Sequence, residues 1–171
     1  MQKINKKIYD EAISLYPIWK KLNKNIKRLH SRGVNFHEIF SEFIVCYVND
    51  YYHSINDSSA DALTNNMEKV QIKGTSNYNY DLTSFGPNSQ FEILEFARLN
   101  QNNDKLYLYR IPIDNLYNIN VNNKQTFKQQ QESGRRPRFS IISNYIDKYK
   151  YKPYATVNMK NGNILFTNTI N

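Results

Sequence analysis

A chain of 171 residues and 20.3 kDa is long enough for one domain with one core and too short for two comfortable ones. With 40% hydrophobic and 22% charged residues, and no apolar run near the roughly 18 residues of a membrane span, it reads as neither a disordered tail nor a membrane protein. Cys46 is the single cysteine, which excludes an internal disulfide and a cysteine-built zinc cluster; with no apolar signal-peptide core at the N-terminus, a cytoplasmic location is expected.

Residues 4–32 predict a helix. Ile8, Ile13, Leu15, Ile18, Trp19, Leu22, Ile26 and Leu29 recur at near-helical spacing, and Pro17 marks a kink or break. Lys20, Lys21, Lys24, Lys27 and Arg28 dominate its second half, which fits a solvated face and a phosphate contact equally. Gly33 is expected to end this helix, with Asn35 capping a second and Glu38 completing a capping box. The second helix should reach about Tyr52, with an apolar stripe of Phe36, Ile39, Phe40, Phe43, Ile44, Tyr47 and Val48 and with Glu42 at its edge. Residues 53–66 are polar and turn-rich. Lys69–Lys73 then alternates as a strand, so Val70 and Ile72 point to the core while Gln71 and Lys73 share the other face.

Phe91–Leu99 and Lys105–Ile111 read as two further strands joined by a turn at Asn100–Asp104. A helix is expected near Thr126–Glu132. Phe139–Ile142 fits a short strand or the start of a helix through Tyr149. Ala155–Met159 and Asn163–Thr167 flank Asn161-Gly162 as a hairpin. The order implies an α/β (α+β) domain around one central sheet, a single unit over 1–171.

The net charge of +8 is unevenly spread. Residues 1–32 hold nine Lys/Arg against two acids, residues 33–123 five against eleven, and residues 124–152 eight against two. A plain nucleic-acid binder needs no acidic middle. A metal-dependent nuclease needs cations for phosphates and carboxylates for an ion.

Asp61 precedes the first strand, and Gln71 and Lys73 follow ten and twelve residues later on one strand face. Magnesium-assisted phosphodiester hydrolysis needs oxygen ligands and a cation near the attacking water, which this D-x(9)-Q-x-K layout supplies. It resembles the PD-(D/E)XK nuclease superfamily, in which an acid starts one strand and an acid-x-lysine pair occupies the next. Glu42 lies on the helix upstream, where that superfamily often carries a glutamate acting through water. Gln71 departs from the usual acid, but its amide oxygen can still be a ligand. Glu68 is a rival carboxylate, ranked lower because alternation puts it on the opposite face; Asp57 is the rival for Asp61.

Three runs, QIKGTS at 71–76, DLTSFGP at 81–87 and GRRPRFSI at 134–141, together resemble the small type II restriction endonucleases that cut GCNGC, over roughly residues 35–145. The resemblance implies a PD-(D/E)XK core with a central mixed sheet flanked by helices. It also implies Mg²⁺ dependence (Mn²⁺ substituting), double-stranded DNA as substrate, a homodimer and a companion DNA methyltransferase. Asp61, Gln71 and the Ile72 carbonyl become the expected metal ligands, and Lys73 and Glu42 complete the catalytic set. The chain then divides into a basic helical segment (1–34), a catalytic core (35–112), a recognition region (113–152) and a C-terminal hairpin (153–171).

Arg135, Arg136, Arg138, Gln131 and Lys128 are the recognition candidates, since arginine can bond guanine O6 and N7 in parallel and glutamine can bond base edges. Thr75, Ser76 and Ser84 sit in short polar loops suited to the DNA backbone. Tyr78 and Tyr80 are weaker candidates. His30, His37 and His53 show no ligand spacing, and Cys46 reads as packing. Two other readings remain at this stage: a repair or junction-resolving nuclease on the same fold, and a non-catalytic DNA- or RNA-binding module whose Gln71 marks a decayed site.

Overall fold

The computed structural model describes residues 1–55 and 60–167, so Asp57 lies outside the described residues. Helix α1 (Lys6–Leu29) starts where the Asn5 side chain accepts a hydrogen bond from the Ile8 N–H. Pro17 does not break it. The proline is exposed, and Tyr16 and Trp19 on either side are packed into the core, which holds the helix through it. Helix α2 (Glu38–Asn49) is capped by His37, whose Nδ1 accepts from the Ile39 N–H, and not by Asn35. The Asn35 carbonyl is instead taken by the Trp19 indole N–H at 2.9 Å. The helix stops at Asn49, three residues early, because Asp50 turns into the left-handed region at φ 58°. Gly33 lies beyond the end of α1; a Cβ there would fall 1.9 Å from Asn23 Oδ1, which accepts from the Val34 N–H.

The main sheet has eight strands: β1 (Gln2–Lys3), β2 (Tyr52–His53), β3 (Ala62–Leu63), β4 (Lys69–Thr75), β6 (Ile93–Asn100), β7 (Lys105–Pro112), β9 (Ala155–Asn158) and β10 (Ile164–Phe166), adjacent in that order. Only β4 and β6 pair in parallel, so the sheet is mixed, and helices flank it as expected. The hairpin at Asn161-Gly162 forms with Val157 opposite Ile164, Gly162 taking φ 73°. β5 (Thr83–Ser84) and β8 (Arg138–Phe139) make a separate two-stranded sheet. The expectation of plain loop in 73–76 and 81–87 is therefore corrected: Gly74 and Thr75 continue β4, and Thr83–Ser84 is β5.

Strand alternation sorts the core into two layers. Val70, Ile72, Ala97, Leu99, Leu106, Leu108, Ala155 and Val157 face α1 and α2, meeting Tyr9, Trp19, Phe40 and Ile44. Leu94, Phe96, Tyr109 and Ile111 face the other way, onto Phe85, Phe127, Phe139 and Ile142. Each fully buried side chain of this size contributes about 1.5–3 kcal/mol. The second layer is built from short pieces: α3 (Ile113–Tyr117), α4 (Phe127–Glu132) and a π-helical segment, Ile142–Asp147. α4 starts with a full Thr126/Gln129 capping box. Among the described residues no helix is long and apolar enough to cross a membrane.

Candidate active site

The site is made by a bulge. Ala62 is the register partner of Val70, yet the Asp61 N–H also donates to the Val70 carbonyl at 3.0 Å. Two residues of one strand thus oppose one of the other, which re-aims the extra side chain. Asp61 turns toward the end of the ladder, where its Oδ2 accepts from the Ile72 N–H at 2.7 Å and from the Gln71 amide nitrogen. Val70 and Ile72, two apart, direct their backbone groups to the same side of β4. The Ile72 carbonyl therefore points past the start of β3, where that strand offers no further rung.

Gln71 is buried and Lys73 half-buried beside it, on the face away from α2. The Lys73 ammonium lies 6.0 Å from the centre of the Phe85 ring and forms no ion pair among the described residues. Burial pushes the Asp61 carboxyl above its ordinary range and the Glu42 charge adds to this, while the Ile72 N–H, Lys73 and Gln71 pull it back. The four predicted groups therefore share one electrostatic neighbourhood. Glu68 is exposed and bonded to the Thr64 hydroxyl at 3.1 Å.

Two features were not foreseen. Gln71 meets Asp61 through its nitrogen, as a donor that orients the carboxylate. His53, set aside with the other histidines, bonds Glu42: Nε2 lies 2.7 Å from Oε2, and Phe43 packs edge-on against the ring. Nothing in residue spacing points to His53. Only the pairing of the two-residue β2 with β3, His53 opposite Ala62, brings it beside the site. His30 and His37 cap backbone N–H groups, and Cys46 is buried packing, its thiol pushed up chiefly by burial. Among the described residues no group of three or more His, Cys, Asp or Glu could hold a metal ion, so any ion here draws on amide and backbone oxygens too.

The two sequence runs 81–87 and 134–141 meet in space. Ser84 pairs with Arg138, Thr83 with Phe139, and the Phe85 N–H donates to the Pro137 carbonyl at 3.0 Å. Asp81 locks them: its carboxylate accepts from the Thr83 and Ser140 hydroxyls and from the Ile141 and Ile142 N–H groups. Arg136 and Arg138 are exposed and without ion pairs among the described residues, and Arg135 donates to the Gln125 side chain at 3.3 Å. Gln131 spends its amide nitrogen on the Gly86 and Ser89 carbonyls, each at 3.2 Å. Lys128 is exposed, with its ammonium 5.9 Å from the Tyr117 ring. Thr75 and Ser76 lie apart from these, lining a groove of about 980 Å³ with Lys27, Arg32 and His37. Tyr78 packs on Arg98, whose guanidinium carbon is 4.1 Å from its ring centre, whereas Tyr80 is exposed.

A mixed sheet flanked by helices is consistent with a restriction endonuclease fold. Residues 4–148 match the family described as Bsp6I restriction endonuclease. The type II restriction enzyme Bsp6I of Bacillus sp. (strain RFL6) is 38% identical over 165 residues, 95% of each chain. The chain belongs to the Bsp6I restriction endonuclease family and is a type II, site-specific DNA hydrolase. Enzymes of this type generally use divalent metal ions.

Proposed function

We propose that this endonuclease cuts both strands of a short palindrome, GCNGC, with Mg²⁺, as a cytoplasmic homodimer paired with a DNA methyltransferase of the same specificity. The observation that carries the site assignment is the Asp61 carboxylate, held at the end of the β4 ladder by Ile72 and Gln71 with Lys73 beside it. The donors fit a hard divalent ion: a half-buried carboxylate whose surroundings on balance oppose its charge, a nearby Glu42, an amide, and a carbonyl beyond the ladder. Asp61, the Gln71 amide oxygen and the Ile72 carbonyl would hold Mg²⁺ or Mn²⁺, which supplies charge neutralisation at the phosphate and water activation.

Lys73 orients the attacking water and offsets charge building on the phosphorus oxygens. Glu42, held by His53, positions water at the site. In-line attack leaves 5′-phosphate and 3′-hydroxyl ends. Arg135, Arg136 and Arg138 read guanine edges, with Lys128, Gln131 and Ser84 placing them, while Thr75 and Ser76 contact the backbone. Lys73→Ala should abolish cleavage of plasmid DNA while binding of a GCNGC duplex in Ca²⁺ survives. Undiminished cutting overturns the site assignment, and fragments that map elsewhere than GCNGC overturn the sequence.

A further inference from the structure

The ribbon of β5 and β8 has an inner and an outer face. Phe85, Pro137 and Phe139 turn inward, and so does Asp81 just before β5. Leu82 and Ser84 alternate with them on one strand, Arg136 and Arg138 on the other. Ser84 is the register partner of Arg138, so Leu82 is the diagonal neighbour of Arg138, about 7–8 Å away and within reach of so long a side chain. A single exposed leucine is ordinary on a protein surface. This one, 59% exposed, is held in an unusual way. Asp81, next to it, is buried, and its carboxylate accepts from the Thr83 hydroxyl at 2.5 Å, the Ser140 hydroxyl at 2.7 Å, and the Ile141 and Ile142 N–H groups at 3.0 and 2.9 Å. Those bonds tie β5 to the chain after β8 and fix the backbone from which Leu82 projects. Phe85 braces the ribbon from within: it stacks on Phe139 and lies under the Lys73 ammonium, so the outer face is set beside the proposed cutting site.

A surface that only grips phosphates needs cations and hydroxyls, and an apolar group in its midst adds nothing. A base-pair edge in the major groove asks for more: donors for guanine O6 and N7, and an apolar group where a pyrimidine shows its C5 edge. A two-stranded ribbon is also narrow enough to enter that groove. The outer face carries both kinds of group. Its two arginines form no ion pair among the described residues, and it includes no acid, so its charge suits DNA. We infer that Leu82 is a specificity-determining residue of the cleavage reaction. It enters the major groove with Arg136 and Arg138 and packs on the C5 edge of the cytosine beside a guanine that one of these arginines holds. This rests on the restriction-endonuclease reading above and on the site proposed there, in which every guanine is followed by a cytosine.

The test is competition binding in Ca²⁺ between a duplex carrying the site that the wild type cuts in plasmid DNA and a duplex without it. Leu82→Ala should lower the ratio of the two affinities about tenfold. The off-site affinity, its slope against salt and the melting temperature of the protein should stay unchanged, because the side chain is exposed and uncharged. Leu82→Met, which keeps the volume, should restore most of the ratio. Replacing the cytosines of the site by 5-methylcytosine, one at a time, locates the contact. At one of them the methyl should alter the affinity of the wild type several-fold more than that of Leu82→Ala. An unchanged ratio overturns the inference, as does a methyl effect equal in both proteins at every cytosine. An equal loss on both duplexes, which a phosphate or subunit contact would give, overturns it too. A wild type that cuts at no discrete site fails the endonuclease reading itself, and the inference falls with it.

Discussion

Asp61 sits in surroundings that oppose its charge. Its folded pKa is raised, by burial first and Glu42 second, so the native state holds the proton more tightly than the unfolded chain. Its contribution to stability is therefore highest below the ordinary value of 3.8, falls as pH rises through the window up to the folded value, and stays reduced above it. Asp61→Asn removes the charge and keeps an oxygen for the Ile72 N–H. It should stabilise the protein by about 1 kcal/mol at pH 7, with little gain at pH 3, while abolishing cleavage. Mg²⁺ should raise the melting temperature of the wild type and leave Asp61→Asn where it was. A melting temperature at pH 7 no higher than the wild type's would contradict this account. The shared face of Gln71 and Lys73 was legible because strand alternation is a strict period of two, whereas the aim of Asp61 depends on a bulge that breaks that period. The donor role of Gln71 and the His53–Glu42 bond were not, since each depends on where another segment comes to lie.

Asp104 ties three elements together. The turn between β6 and β7 holds it in a left-handed conformation at φ 56°, nearly buried. There its carboxylate takes the Tyr16 hydroxyl and the Lys20 ammonium of α1, and the Lys160 ammonium from the β9–β10 hairpin at 3.1 Å. Burial opposes its charge, but Lys20, Tyr16 and Lys160 outweigh that and hold it below the ordinary carboxylate range. The contribution is thus present above the ordinary value of 3.8 and is lost as pH falls through the depressed one. Asp104→Ala, which leaves the buried Tyr16 hydroxyl without its acceptor while Lys20 keeps the Gln101 carbonyl, should cost about 1–3 kcal/mol, read by urea unfolding at pH 7, and the difference should shrink toward pH 2. A change under 1 kcal/mol would show the clamp to be idle. The long strands, the hairpin and the helix near Thr126–Glu132 could be read from sequence. β1, β2, β5 and β8 could not, being two residues long, and the cap of α2 falls on His37 because the helix starts at Glu38, two residues later than Asn35 could cap.

Across the whole molecule, the first basic flank divides its labour. Lys3 pairs with Asp50 and Lys20 with Asp104, so part of the positive excess serves the fold. Lys27 and Arg32 remain without ion pairs among the described residues and line the groove that Thr75 and Ser76 share. If DNA follows that groove, Lys27→Ala with Arg32→Ala should weaken binding to every sequence alike and flatten the slope of log affinity against log salt by about 2. An unchanged slope returns those cations to the solvent.

Phe85 lies between the two groups proposed above to cut and to read DNA. Its ring lies under the Lys73 ammonium, and it stacks on Phe139 of the strand that presents Arg138. On the roles proposed for Arg138 and Lys73, a shift of β8 on engaging the correct bases would move the seat of the lysine. Fidelity would then be a matter of timing as well as affinity, the scissile bond being attacked only once β8 had come to rest. Phe85→Leu, which loosens that seat and leaves every proposed ligand and arginine in place, should narrow the ratio of cutting at the cognate site to cutting at sites one base pair away. Restriction digests of matched oligonucleotides measure that ratio directly, and an unaltered ratio would mean that the two ends work independently.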